Sequence, residues 1–140
     1  MSHPDPPQSD SPQPQPLDLQ FLLHAAELLD GDPQVDDYGP LYAAVARVTA
    51  HAMDRDIYGS PYLKAAALLQ TLVRLPCLEH SNEAFAWHSC EAYLALNGHR
   101  LTYQPKDAVA LVRDAGGAGT GTGTLGVAQI AGQLRTWAGG

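Results

Sequence analysis

The stretch "GSPYLKAAALLQTLVRL", residues 59–75, constrains the fold more than any other part of the chain. Ser60 followed by Pro61 reads as an N-cap and a first-turn proline, whose missing N–H costs nothing at that position. Behind them Ala65, Ala66, Ala67, Leu68, Leu69 and Leu72 make the helix apolar nearly all round. A helix with no polar face cannot lie on a surface, so other elements must cover it on several sides.

The covering elements also read as helices with legible ends. "LDLQFLLHAAELLDG" puts Leu19, Leu22, Leu23, Ala26 and Leu29 on one face and stops at Gly31. "YGPLYAAVARVTAHAM" carries Pro40 in its first turn, and "SNEAFAWHSCEAYLALNG" closes on Asn97 and Gly98, a good C-cap pair. "HRLTY" is a short extended piece, and "QPKDAVALVRDAGG" is a helix with an early Pro105. "AGGAGTGTGT" reads as a flexible linker before a last helix, "TLGVAQIAGQLRTWA", with Thr124 as N-cap. No alternating run is long enough to build a sheet. The expected class is all-α, a single domain of about six helices over residues 19–138. Residues 1–18 are dominated by Pro, Gln, Ser and Asp and are expected to form a disordered tail, solubilising rather than a proline-motif ligand.

With 140 residues the chain fits one domain. Its net charge of −7 and the absence of any Lys/Arg run argue against nucleic acid, since phosphate neutralisation needs clustered cations. The N-terminus lacks the basic start and apolar run of a signal peptide, and no stretch is apolar enough to span a bilayer. The expectation is a cytoplasmic protein without a membrane partner. Cys77 and Cys90 have no metal-ligand spacing and are expected to be free, mostly buried thiols.

The glycine-rich "GGAGTGTGTLG" lacks a preceding strand and a GK[ST] ending, so a helix-to-helix linker fits it better than a phosphate cradle. His24 and His51 read as lone histidines in amphipathic helices, with no carboxylate at ligand spacing. His80, Glu83, Trp87 and Glu91 recur at helical spacing on one face. A metal there would need ligands that nothing nominates, so no metal site is assigned and the face is expected to be solvated and acidic. Ser81 and Asn82 can cap the helix, and its free N–H groups make them the candidate anion- or nucleotide-binding residues. His80 and Glu83, one turn apart, are the candidate acid/base pair.

Taken together, these blocks resemble the death-on-curing (Doc) branch of the Fic family, the toxin side of toxin–antitoxin pairs. "VDDYGPLYAAVARVTA" resembles its early block, and "YLKAAALLQTLVR" its E-K-A-A-A-L-L-x-x-L-x-R helix. "AWHSCEAYLALNGHRL" resembles the segment after the catalytic motif, and "VAQIAGQLRTW" the closing helix. The resemblance covers roughly residues 19–138 and implies a Fic/Doc-like helical bundle, with room for a short extended flap. It also implies a protein partner such as a cognate antitoxin, and ATP with Mg²⁺ if the family activity survives.

Between the two central blocks the family carries H-x-F/L-x-D/E-G-N-K-R. Its His is the base, its acid holds Mg²⁺, and Gly-Asn-Lys-Arg cradles phosphate. Aligned without gaps, Pro76 falls at the base, His80 at the acid and Ser81 at the glycine. Asn82 matches, while Glu83 and Ala84 replace Lys and Arg. A one-residue shift would bring Glu79 to the acid position, at the cost of the helix match. Pro76 cannot accept a proton, and the local charge moves from about +2 to about −1, which disfavours a nucleotide triphosphate. The resemblance therefore implies a Fic-fold pseudoenzyme acting by protein binding. One alternative is an active transferase moving a phosphoryl or AMP group to a protein hydroxyl, such as one on a translation factor, with His80 as displaced base. A further alternative is a different enzyme built on His80, Glu83, His88 and Glu91.

Overall fold

A computed structural model describes residues 17–117 and 125–139. The tail expected over residues 1–16, and residues 118–124 of the glycine-rich linker, lie outside the described residues. Among those described, six helices and one hairpin follow in the order α1 (Leu19–Glu27), α2 (Gly39–Val48), β1 (His51–Ala52), β2 (Arg55–Asp56), α3 (Pro61–Arg74), α4 (Asn82–Leu96), α5 (Pro105–Ala115) and α6 (Val127–Trp137). The expected class, an all-α bundle of about six helices, is what the described residues adopt, with one short hairpin beside it.

The helix at the centre is α3. It packs against α2, α4, α5 and α6, while α1 lies on α4 and α2. Its residues 65–72 are all buried, and Leu68, Leu69 and Leu72 are fully so. Removing side chains of that size from water stabilises the fold by roughly 2 kcal/mol each. The helix starts as its sequence demands: Ser60 Oγ accepts from Leu63 N–H at 3.1 Å, with Pro61 just inside. Arg47 of α2 donates to the Tyr58 hydroxyl (2.9 Å) and to Thr71 Oγ1 of α3 (3.0 Å), joining α2, the hairpin exit and the centre. At its other end Arg74 Nε donates to Ala115 O, and Gln70 Nε2 donates to Leu125 O. These bonds pin both ends of the glycine-rich segment to α3.

Three boundaries, and the surroundings of two histidines, differ from the sequence reading. Leu17 is buried and Asp18 Oδ1 accepts from Phe21 N–H at 2.8 Å, so the packed region begins two residues before 19. The second helix stops at Val48 instead of running to Met53. Thr49 Oγ1 bonds back to Val45 O (2.7 Å), and Met53 and Asp54 take positive φ (52° and 63°) to turn the β1–β2 hairpin. His51 therefore lies on a strand, where Nε2 meets Asp56 Oδ1 at 2.8 Å, and Lys64 Nζ reaches Asp56 Oδ2 at 2.9 Å. His24 likewise has a carboxylate, Glu27 one turn on at 3.3 Å. The last helix is capped at Gly126, whose N–H donates to Gln129 Oε1, so Thr124 is not the residue next to it.

Two other expectations hold in detail. At the end of α4, Gly98 takes φ +87°, and the N–H groups of Gly98 and His99 return to Ala95 O and Leu94 O. This is the double closure a left-handed glycine allows. Both cysteines are free and buried. None of the described helices is long and apolar enough to cross a membrane.

Candidate functional site

The candidate site is the junction between α3 and α4, residues 75–84. Pro76 ends α3, because the residue before a proline is driven out of the helical region. The chain is then laced to residues 34–37. Asp36 N–H and Asp37 N–H donate to Cys77 O (2.8 and 3.2 Å), Val35 bridges Leu78, and Glu79 N–H donates to Gln34 O (3.0 Å). The Glu79 carboxylate accepts from Gln34 N–H at 2.9 Å. Glu79 is the carboxylate that a shifted alignment would offer as metal ligand, and here it fastens one loop to another.

Asn82 turns back into this loop. Its Oδ1 accepts from both Cys77 N–H and Leu78 N–H at 2.9 Å, and its Nδ2 donates to Leu78 O at 2.9 Å. Three bonds to one short piece of backbone hold the loop in its curve. Ser81, directly before the helix, sits at φ +66°, ψ 29°, and makes no side-chain cap. That left-handed conformation costs a non-glycine residue roughly 1–2 kcal/mol. It is the conformation glycine supplies freely, and the resemblance places a glycine here. Ser81 Oγ instead lies 2.8 Å from His80 Nδ1.

The two candidate acid/base residues part company. The His80 ring packs beside Gly31 at the end of the α1 turn: a Cβ on Gly31 would come within 3.2 Å of it. Glu83 points to the other side, where its carboxylate is 3.9 Å from Arg113 of α5. Both ends of that pair are more than half exposed, so it contributes at most about 1 kcal/mol. Ala84 is exposed. The charge around the junction is negative, from Asp36, Asp37, Glu79 and Glu83. Buried behind it, the Cys77 thiol is pushed up to about 11, by burial first and by the charge of Asp37 second.

The face expected to be solvated and acidic is so at His80 and Glu83, which are exposed, and not at its other half. Trp87 and Glu91 are half-buried, and Trp87 Nε1 donates to the Tyr103 hydroxyl (3.1 Å), which donates to Glu91 Oε2 (2.6 Å). Trp137 stacks edge-on with Trp87 at 6.0 Å between centroids. Glu91 thus serves an aromatic cluster; burial and then the bond to Glu91 raise the Tyr103 phenol. His88 faces the groove between α1 and α4, beside Leu28 and Leu96. Among the described residues no group of three or more His, Cys, Asp or Glu could hold a metal ion.

Beside Glu83 opens an apolar cavity of about 340 Å³ between α4 and α5. Trp87 and Tyr103 line it with Pro105, Ala108 and Val109. No motif marks the α5 side. Its only signal is Val109, an apolar residue that lies off the buried stripe Ala108–Leu111–Val112–Ala115 and is 46% exposed.

No protein-family model matches the chain. A curated protein named Toxin Doc, from Mycolicibacterium smegmatis, is 41% identical over 86 residues. The match covers 61% of this chain and 66% of that protein, so the chain spans just under two thirds of the relative's length.

Proposed function

From the premise that the chain belongs to the Fic/Doc family, we propose that it is a Doc-like protein of a toxin–antitoxin system that no longer transfers from a nucleotide and acts by binding another protein. One observation carries this reading. The junction keeps a glycine-type turn at Ser81 and a tightly fastened loop, while its side chains are acidic where a phosphate would sit. Glu83 and Ala84 stand in place of two cations, and Pro76 in place of the base.

The residues present do not fit a magnesium nucleotide. His80, at the position of the acid, packs on Gly31; Glu79, the substitute carboxylate, is engaged with Gln34; and Asn82 is engaged with the loop backbone. A transferase using His80 as base would need that ring to leave Gly31 and face Asn82. Binding to a protein is supported by apolar side chains left in water: Met53 (96% exposed) and Ile57 around the hairpin, and Leu28 and Leu96 along the α1–α4 groove. Exposed apolar groups gathered in this way mark contact surfaces.

Isothermal titration of the full chain with ATP and Mg²⁺ tests the reading, which expects no saturable heat at micromolar nucleotide. Micromolar affinity would sink it, as would label transferred from radioactive ATP to any protein of a lysate. The partner half is tested separately, by co-expression with the product of the neighbouring reading frame. A stable co-eluting complex is expected.

A further inference from the structure

We propose that the cavity between α4 and α5 binds a small organic cation, an amine carried on a single aromatic ring, with the ring among Trp87, Tyr103 and Val109 and the ammonium on Glu83. Such a ligand is neither a nucleotide nor a protein, so this site stands apart from the function proposed above.

The walls set the body of the ligand. Trp87 Nε1–H is given to the Tyr103 hydroxyl at 3.1 Å, and that hydroxyl is given to Glu91 Oε2 at 2.6 Å. Glu91 itself is not among the lining residues. The two rings therefore offer the cavity carbon, beside Pro105, Ala108 and Val109. Their planes are held by neighbours: Trp87 stands edge-on to Tyr103 (centroids 5.1 Å apart) and to Trp137 (6.0 Å). A ligand ring joining this cluster gains edge-to-face or offset contacts in addition to burial. At about 340 Å³ the cavity lies near the small end of ligand pockets, roughly 300–1,000 Å³, which suits one ring on a short arm.

Glu83 sets the head group. Among the described residues that line the cavity it alone is charged. It precedes Trp87 by one turn on the same face of α4, and its side chain is 56% exposed. Its one cation among the described residues, Arg113, stands 3.9 Å away, beyond hydrogen-bonding distance. The carboxylate thus has room for a closer donor. Being half in water, it accepts one without the cost of burying both charges. An anionic ligand would meet like charge here, and a neutral one would leave the carboxylate unanswered.

The experiment titrates the full chain with 2-phenylethylammonium and with two size-matched controls, 2-phenylethanol and 3-phenylpropanoate, followed by calorimetry and NMR. The amine is expected to saturate in the millimolar range or below. Shifts are expected at the Trp87 indole N–H and the Val109 methyls, and none at Leu28 and Leu96 in the α1–α4 groove. The alcohol binds about fivefold more weakly, and the carboxylate more weakly still. Glu83→Gln, at an exposed position, brings the amine down to the level of the alcohol. Arg113→Gln removes a competing cation and strengthens the amine about twofold, a response that a purely apolar groove would not give. Equal binding of the three compounds, an amine affinity unmoved by Glu83→Gln, shifts centred on Leu28 and Leu96, or no saturation overturns the proposal. The comparison of the three compounds on the unaltered chain decides the matter even if a variant unfolds. The ATP titration has no bearing on this result, so either proposal can fail alone.

Discussion

Two helices that pack against each other, α3 and α4, each begin at a serine, and the two serines do opposite things. Ser60 is extended (φ −129°, ψ 157°) and its hydroxyl caps α3. Ser81 is left-handed, caps nothing, and has its hydroxyl in a hydrogen bond with His80 Nδ1. At Ser60 residue type and backbone agree, as they do through the core that follows. At Ser81 they conflict, and the conflict persists because the surroundings dictate the turn: Asn82 holds the loop from inside, and residues 34–37 hold it from outside. The pair teaches that backbone and charge are separable at this junction: the left-handed curve that a glycine would take is present, while the side chains beside it supply an anion, Glu83, and not the cations that a phosphate would need.

The largest expected effect comes from supplying those cations. Glu83 and Ala84 are both exposed, so Glu83→Lys with Ala84→Arg leaves the packing alone. If the curve around Ser81 is still shaped for phosphate, two cations for one anion strengthen ATP·Mg²⁺ binding by on the order of 3 kcal/mol, about a hundredfold. Titration calorimetry reads it directly. An unchanged affinity would mean that the backbone, too, has left the binding form.

Next comes Asn82→Ala, which asks whether the side chain or the backbone keeps the curve. It leaves Cys77 N–H and Leu78 N–H without their acceptor and Leu78 O without its donor. Three lost bonds at roughly 1 kcal/mol each predict a loss of about 3 kcal/mol in urea unfolding. Asn82→Asp keeps the two acceptor bonds and should lose less. A loss under 1 kcal/mol would show that residues 34–37 suffice.

These same residues mark how far the sequence alone could be read. Ser60, Pro61 and the apolar run behind them announce a buried central helix, because capping, periodicity and packing all act within one turn. Asn97 and Gly98 announce the end of α4 for the same reason. The hairpin at 51–56 was hidden: "VARVTAHAM" has helical apolar spacing, and the break depends on two non-glycine residues, Met53 and Asp54, taking positive φ. The junction was half legible. The resemblance points to it and sets Pro76, Glu83 and Ala84 against the family's base and cations. It could not tell that Glu79 and Asn82 are engaged with backbone: Gln34 meets Glu79 only through tertiary contact, and the bonds from Asn82 to Cys77 and Leu78, though local, form only in an irregular loop that no spacing rule describes. The Trp87–Tyr103–Glu91 chain was missed because Tyr103 lies on the far side of a loop and no spacing rule links it to α4.

The two thiols extend the comparison to burial: Cys77 stands in the junction and Cys90 in the body of α4. Both are raised, Cys77 to about 11 by burial and then Asp37, and Cys90 further still by burial and then Glu91. A raised folded-state value means the native thiol holds its proton more firmly than the unfolded one. The stabilisation is therefore complete below about pH 9, and is lost as pH climbs from there through about 11. For Cys77 two pH units correspond to about 2–3 kcal/mol. Unfolding followed between pH 8 and 11 should show this fall, and Cys77→Ser should flatten much of it. An unchanged slope in that variant would mean the junction is wetter than the core behind it.

The smallest effects test the two serines themselves, and here the sign matters more than the size. Ser60→Ala removes a working cap and should cost about 1 kcal/mol. Ser81→Ala removes no cap and keeps the left-handed strain, so it should fall within a few tenths of neutral. Ser81→Gly relieves the strain at a modest cost in unfolded-chain entropy and an exposed hydrogen bond to His80. The balance is a gain of about 0.5–1 kcal/mol. Glycine at position 60 relieves nothing and loses a few tenths. Thermal or urea unfolding of the four variants gives the answer in one series. A loss for Ser81→Gly comparable to that for Ser60→Ala would break the contrast, because Ser81 would then be stabilising its helix by its side chain after all.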